Sequence, residues 1–87
     1  MVNILKLSFS EKIPCYVTGD GIGGTEKFLG TVKNPEECTT MVKTREPTAN
    51  GATFTKGARN CYAEFGMTGS NSNADYLSCL FEGKVTP

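Results

Sequence analysis

The chain of 87 residues has no histidine and no tryptophan, and none of its four cysteines lies in a C-x-x-C pair. Zinc sites and thioredoxin-type redox sites usually need histidines or closely spaced thiols, so neither pattern is present. No apolar run approaches the roughly 20 residues that span a bilayer. We therefore expect no metal, no cofactor and no membrane insertion.

An excess of charge of one sign is also missing, because nine Lys and Arg balance nine Asp and Glu. Nucleic-acid binders usually carry a basic stripe with interleaved aromatic residues, and none is visible here. Nucleic acid is therefore not an expected partner. A signal peptide is not recognisable either, since Lys6 interrupts the apolar segment near the start and no small-residue cleavage site follows. We interpret residues 1–87 as one domain, either a mature chain or a module of a longer protein.

The cysteines are even in number and widely spaced, at Cys15, Cys38, Cys61 and Cys79. A domain of this size draws only roughly 3 to 5 kcal/mol from its hydrophobic core, so an additional cross-link is expected. Two structural disulfides fit this pattern best. Because such bonds persist in oxidising compartments, they favour an extracellular location.

Gly19, Gly21 and Gly24 have the G-x-G-x-x-G spacing of dinucleotide-binding folds. That fingerprint requires a helix directly after the glycines, within a parallel sheet. Here the next helix signal comes only at Asn34, and the chain is too short for a doubly wound sheet. We predict a flexible hairpin connection over residues 19–24.

One helix is marked by local signals. Asn34 is a good N-cap, and Pro47 stops the run. Cys38, Met41 and Val42 have the i, i+3, i+4 spacing of one helix face, which we expect to be buried.

The remaining pattern predicts short strands separated by turns. We expect strands over residues 5–9, 13–18, 26–32, 52–55, 61–65 and 76–82, with a polar loop over residues 66–75. Residues 52–55 and 61–65 form a hairpin. The predicted fold is α+β, a small antiparallel sheet with one helix packed across it. Its core spans about residues 13–82, preceded by the N-terminal strand in residues 1–12 and followed by a tail or linker, 83–87.

Four cysteines allow three pairings. Cys15 and Cys79 lie in the first and last parts of the domain, both in predicted strands. The helix cysteine Cys38 needs a partner on the sheet beneath it. We therefore expect the nested pairs Cys15–Cys79 and Cys38–Cys61.

Four features follow one another along the chain, in this order: a strand cysteine near the start, a helix opening NPEEC, a strand CYAEF and a last strand YLSCLF. Together they resemble the PAN/apple superfamily of extracellular modules, over about residues 15–81. Val42 stands where apple domains usually carry a second helix cysteine, so the chain resembles a reduced, two-disulfide variant like those in secreted proteins of marine invertebrates. The resemblance implies a sheet cradling a helix, nested disulfides, and adhesion to proteins or carbohydrates.

For catalysis, the remaining candidates are carboxylates, namely Asp20, Glu26, Glu64 and Asp75. Nothing in the sequence pairs any two of them, and general acid–base chemistry needs a tuned pair. We expect solvated carboxylates and no enzyme, with Glu64 pointing to water or pairing with Arg59 or a lysine.

Residues that bind sugars are expected on loops, where aromatic rings can stack on the apolar faces of sugars and amide or charged side chains can select hydroxyl groups. The candidates are Arg59, Asn60, Asn71, Asn73, Asp75 and Tyr76. The segment NSNADY also places oxygen-bearing side chains at alternate positions. However, Tyr76 stands where an EF-hand requires glycine, so no metal site is assigned, while a looser calcium site involving Asp20 or Asp75 stays open.

These features predict a non-catalytic, secreted adhesion module that recognises glycan or protein partners. The alternative is a self-associating structural subunit of an extracellular fibre or matrix. Self-association would use main-chain pairing of the N-terminal strand, residues 5–9.

Overall fold

A computed structural model of the protein describes residues 15–81. Its elements, in chain order, are β1 (Val17–Thr18), β2 (Gly21–Ile22), β3 (Thr25–Thr31), α1 (Pro35–Arg45), β4 (Gly51–Thr55), β5 (Asn60–Phe65), β6 (Gly69–Ser70) and β7 (Tyr76–Leu80). The strand predicted at residues 5–9 and the tail predicted at 83–87 lie outside the described residues.

The strands form one five-stranded antiparallel sheet in the order β1-β7-β4-β5-β3 and one two-stranded ribbon, β2-β6. Helix α1 contacts β4 and β5 in the middle of the larger sheet. The predicted α+β fold, a small antiparallel sheet with one helix, is confirmed. Within residues 15–81, no helix is long and apolar enough to cross a membrane.

Helix α1 begins and ends as its local sequence predicts. The Asn34 side chain accepts a hydrogen bond from the Glu37 amide at 2.8 Å, and the Glu37 carboxylate accepts one from the Lys33 amide at 2.6 Å. Together these bonds satisfy amides at a helix start, where no intrahelical partner exists. Cys38 and Val42 are fully buried and Met41 is half-buried against the core, which confirms the predicted buried face.

The helix covers the apolar face of the sheet. Side chains alternate between the two faces of a strand, and the register places Ala52 beside Ala63 and Phe54 beside Cys61 on the same face. Cys38 of α1 is bonded to Cys61 of β5, so this is the face under the helix.

The second disulfide joins Cys15, just before β1, to Cys79 in β7. Both predicted disulfides are therefore present, and none of the described cysteines is free. One bond ties the helix to the sheet, and the other ties the start of the described chain to its last strand.

Two loop predictions are wrong. Strands β1 and β3 lie at opposite edges of the sheet, so residues 19–24 do not connect a hairpin. Instead, β2 pairs with β6, which lies inside the segment predicted as a loop at 66–75. The β2-β6 ribbon approaches the face of the sheet opposite the helix, and a Cβ atom at Gly21 would lie 2.9 Å from Thr53 Oγ1. Glycine is therefore needed at position 21 for close approach.

Candidate functional site

Four of the six predicted binding residues lie at one end of the five-stranded sheet, namely Arg59, Asn60, Asp75 and Tyr76. Thr55, at the end of β4, stands opposite Tyr76, at the start of β7, and its hydroxyl accepts a hydrogen bond from the Asn60 amide at 2.9 Å. The Lys56 amide donates to the Asp75 carbonyl at 3.0 Å. These bonds bring residues 56–60 beside Asp75 and Tyr76, and Asn73 is joined to this group because the Tyr76 amide donates to its carbonyl at 3.1 Å. We call residues 56–60 and 71–76 the binding rim.

Arg59 lies on the exposed side of the binding rim. Its φ of 58° is in the left-handed region, where the β4–β5 turn reverses direction. Arg59 also lines a shallow depression of about 510 Å³. The other lining residues are Thr31, Val32, Lys33, Glu37 and Ala58. The depression is open to solvent and carries charges of both signs, so it suits a polar ligand.

Asn71 and Asn73 organise the loop between β6 and β7. The Asn71 side-chain oxygen accepts hydrogen bonds from the amides of Asp20 and Asn73, both at 2.9 Å, and that of Asn73 accepts one from the Asp75 amide at 2.9 Å. Such side-chain bonds to nearby amides fix turn geometry. The exposed carboxylate of Asp75 is thereby held at the rim by a hydrogen-bonded loop.

A different group of polar residues lies between the ribbon and the sheet, and it meets the binding rim through the hydrogen bonds between Asp20 and Asn71. Glu64, which the sequence predicts to point to water or to pair with Arg59 or a lysine, is only 2% exposed. Its carboxyl oxygen Oε2 accepts a hydrogen bond from the Thr53 hydroxyl at 2.6 Å, and the Gly21 amide donates to that hydroxyl at 3.1 Å. The prediction for Glu64 is wrong because the β2-β6 ribbon covers this face of the sheet.

Two more carboxylates converge on Glu64. Strands β3 and β5 pair with Glu26 directly opposite Glu64, and Asp20 immediately precedes β2. One carboxylate oxygen from each of the three residues lies within 4.8 Å of the others. We call Asp20, Glu26 and Glu64 the acidic cluster. The prediction that the carboxylates are unpaired is therefore wrong for these three, and the prediction that they are solvated is wrong for Glu64, whereas Glu26 is exposed.

The acidic cluster changes the protonation of its buried member. The pKa of Glu64 is raised to about 8, chiefly by burial, which disfavours the charged carboxylate. The Thr53 hydrogen bond opposes this rise, whereas a hydrogen bond to Glu26 and the negative charges of Glu26 and Asp20 contribute to it. At neutral pH the Glu64 carboxyl therefore holds a proton when nothing else neutralises the cluster.

Sequence reasoning missed two residues beside the cluster, Thr53 and Ser78. They stand opposite each other on β4 and β7, on the same face as Glu64, and both are 0% exposed. Ser78 Oγ and Asp20 Oδ1 are shielded from solvent and have no hydrogen-bond partner among the described residues. Alternation in β4 puts Thr53 on the face opposite Phe54, but no local signal shows that this face is covered.

The chain matches no protein-family model, no curated protein and no solved structure. The candidate sites are therefore defined by their own geometry, with the binding rim at the end of the sheet and the acidic cluster beneath the ribbon.

Proposed function

We propose that the chain is a PAN/apple-like extracellular module that binds a glycan or protein partner without catalysing a reaction. The observation that carries the proposal is the union of the β4–β5 turn with the loop before β7, through the Lys56–Asp75 hydrogen bond. Through this bond, the guanidinium of Arg59, the carboxylate of Asp75, the side-chain amides and the Tyr76 ring are held at one end of a disulfide-linked scaffold. Rigid scaffolds with functional loops are a common design for binding proteins.

The chemistry of the binding rim favours a glycan over an apolar protein surface. Among the described residues, the exposed large hydrophobic side chains are Val17, Ile22 and Phe28, and none of them belongs to the rim. Rim residues instead supply hydrogen-bond donors and acceptors, with Tyr76 as a half-buried aromatic side chain. Sugar hydroxyls need such partners, and an aromatic ring can stack on the apolar face of a sugar.

Two disulfides support an extracellular location, because such bonds persist where the medium is oxidising. Support for a PAN/apple-like architecture is the antiparallel sheet under one helix with nested disulfides. For a role without catalysis, the support is that the buried acid Glu64 lies beneath the ribbon and away from the exposed depression at Arg59.

The experiment is a glycan array probed with the folded, oxidised protein. We expect selective binding that is lost in the double variant Arg59→Ala/Asp75→Asn, because both charged side chains project from the rim. The matched control is Arg45→Ala/Glu36→Gln, which removes the same two charge types from exposed positions on the helix.

Equal binding by the rim variant and the helix variant would exclude the rim as the binding surface. If the array shows no binding but the protein captures a purified extracellular protein through the rim, the partner is a protein. If neither ligand class binds through these residues, the proposed function is wrong.

A specific observation favours self-association as a second candidate. Strand β3 is an edge of the sheet, seven residues long, and its Phe28 is 55% exposed. An exposed edge strand can pair with another chain through its main chain. The pairing route predicted through residues 5–9 lies outside the described residues. Sedimentation velocity over a wide concentration range separates the candidates, because a structural subunit should assemble and a binding module should stay monomeric.

A further inference from the structure

The acidic cluster is built from three separate parts of the chain. Asp20 comes from the segment before β2, Glu26 from edge strand β3, and Glu64 from β5 in the sheet interior. Like charges placed directly opposite on neighbouring strands repel each other, and here Glu26 and Glu64 are such a pair. Among residues 15–81 no ion pair joins these three carboxylates to a basic side chain, so a proton on Glu64 or a bound cation must neutralise them. Lys27, the neighbour of Glu26, instead forms an ion pair with Glu46 at 2.9 Å.

Independently of the carboxylates, the space under the ribbon contains an oxygen without a partner. Ser78 is 0% exposed, and its Oγ has no hydrogen-bond partner among residues 15–81. Its side chain lies on the sheet face that carries Glu64, because Ser78 stands opposite Thr53, whose hydroxyl donates to Glu64. Burying a hydroxyl without a partner is unfavourable, so Ser78 Oγ needs a partner such as a water, although β4 separates its strand from β5 and Glu64. Asp20 Oδ1 is also shielded and without a partner among the described residues, and because Asp20 belongs to the acidic cluster, this oxygen is the one that indicates a ligand at the cluster itself.

We infer that Asp20, Glu26 and Glu64 bind a calcium ion between the β2-β6 ribbon and the five-stranded sheet. Hard cations select oxygen ligands, and every candidate ligand here is an oxygen. The three carboxylate oxygens lie within 4.8 Å of one another, a spacing that fits oxygens around Ca²⁺ at about 2.4 Å. Mg²⁺, which binds at about 2.1 Å, would also keep its oxygens within this limit, but it demands a strict octahedral geometry and gives up its waters reluctantly, whereas Ca²⁺ accepts irregular sets of carboxylate oxygens.

Bound calcium would attach the ribbon to the sheet. Asp20 and Asn71 are joined by two hydrogen bonds, from the Asp20 amide to the Asn71 side chain at 2.9 Å and from the Asn71 amide to the Asp20 carbonyl at 3.0 Å. The ion therefore holds a segment that also anchors the loop before β7. Calcium binding does not depend on what the binding rim recognises.

The test is calcium titration of the whole, oxidised chain after removal of metals with a chelator. Isothermal titration calorimetry should give one site with a dissociation constant of about 10⁻⁴ to 10⁻³ M, the range of extracellular calcium modules. With that affinity, about 10 mM calcium lowers the unfolding equilibrium constant by about 10- to 100-fold. Magnesium at the same concentration should have a much smaller effect.

Four variants assign the site. Glu26→Gln removes an exposed carboxylate and Asp20→Asn a half-buried one, so both variants should fold and bind calcium at least about tenfold more weakly. The control Glu36→Gln removes an exposed helix carboxylate and should keep the wild-type affinity. Asp75→Asn tests the NSNADY loop as a rival site and should also bind normally.

Each of three results would overturn the inference. The first is no stabilisation by about 10 mM calcium, which would mean that protons alone neutralise the cluster. The second is equal calcium binding by Glu26→Gln and Glu36→Gln. The third is loss of binding in Asp75→Asn alone, which would place the ion at the loop before β7.

Discussion

The two faces of the five-stranded sheet bury different kinds of side chain. Under helix α1, the sheet presents alanine, phenylalanine and cysteine, and a disulfide crosses from the helix to β5. Under the β2-β6 ribbon, the same strands bury Thr53, Glu64 and Ser78, which are all the buried polar residues of the described chain. One sheet of modest size therefore has an apolar side and a polar side.

The difference shows where solution conditions can act on this protein. Apolar burial and a covalent bond do not depend on pH or on small ions, so the helix side supplies constant stability. A buried carboxyl group changes protonation with pH, and a buried oxygen without a partner responds to a ligand. We therefore expect the ribbon side to be the half of the fold whose stability responds to pH and to ions.

The largest effect that we predict comes from the disulfides. With sequence separations of 64 and 23 residues, the chain-entropy relation assigns about 4 and about 3.5 kcal/mol to Cys15–Cys79 and Cys38–Cys61. Their sum is comparable to the whole stability of a small domain, so reduction should unfold the protein. Circular dichroism with and without a reductant measures this. If the reduced protein kept a cooperative urea transition at an unchanged midpoint, the helix side would not depend on its covalent bond.

The next largest effect is a change in the free energy of unfolding with pH, which we expect from the ribbon side and not from the helix side. Glu64 has a pKa of about 8 when folded and an ordinary value of 4.5, so between these pH values only the folded protein holds its proton. In calcium-free buffer, stability should therefore fall by about 1.4 kcal/mol per pH unit as the pH rises through this window. Asp20 and Glu26 face the same carboxyl group and cause part of the shift. Glu64→Gln, which has no proton to lose, should remove this slope and be the more stable protein at about pH 8.

Urea denaturation at about pH 5 and about pH 8 in the presence of a chelator measures both proteins. Glu36→Gln serves as the control, because Glu36 is exposed on the first turn of the helix, and its pH profile should follow the wild type. If the free energy of unfolding changed with pH in the same way for the wild type and Glu64→Gln, Glu64 would be ionised in the folded protein. The two faces of the sheet would then not differ in their response to pH.

The helix side could be predicted from the sequence because its signals are local. Asn34 and Pro47 mark the ends of one element, and the spacing of Cys38 and Val42 marks its buried face. The nested disulfides followed from that placement, since the helix cysteine needed a partner on the sheet. The binding rim was predicted in part, because polar loop residues are recognisable although their meeting at one end of the sheet is not.

The ribbon side could not be predicted, because it depends on pairing between distant, very short segments. Gly21 and Ile22 pair with Ser70 and Gly69, and two-residue strands carry no periodicity. Once this ribbon is in place it buries Glu64, which by itself has the pattern of a solvated strand residue. The register that sets Glu26 opposite Glu64 is likewise a tertiary property.

The smallest predicted effects come from two substitutions, one on each face of the sheet, which change the free energy of unfolding in opposite directions. Ser78→Ala removes a buried hydroxyl that lacks a partner, so in calcium-free buffer it should stabilise the protein by about 1 kcal/mol. Val42→Ala removes two methyl groups from a fully buried position under the helix and should destabilise it by about 2 kcal/mol. Urea denaturation measures both differences. If Ser78→Ala were instead destabilising without calcium, its hydroxyl would already have a partner such as an ordered water, and the polar side would be complete without an ion.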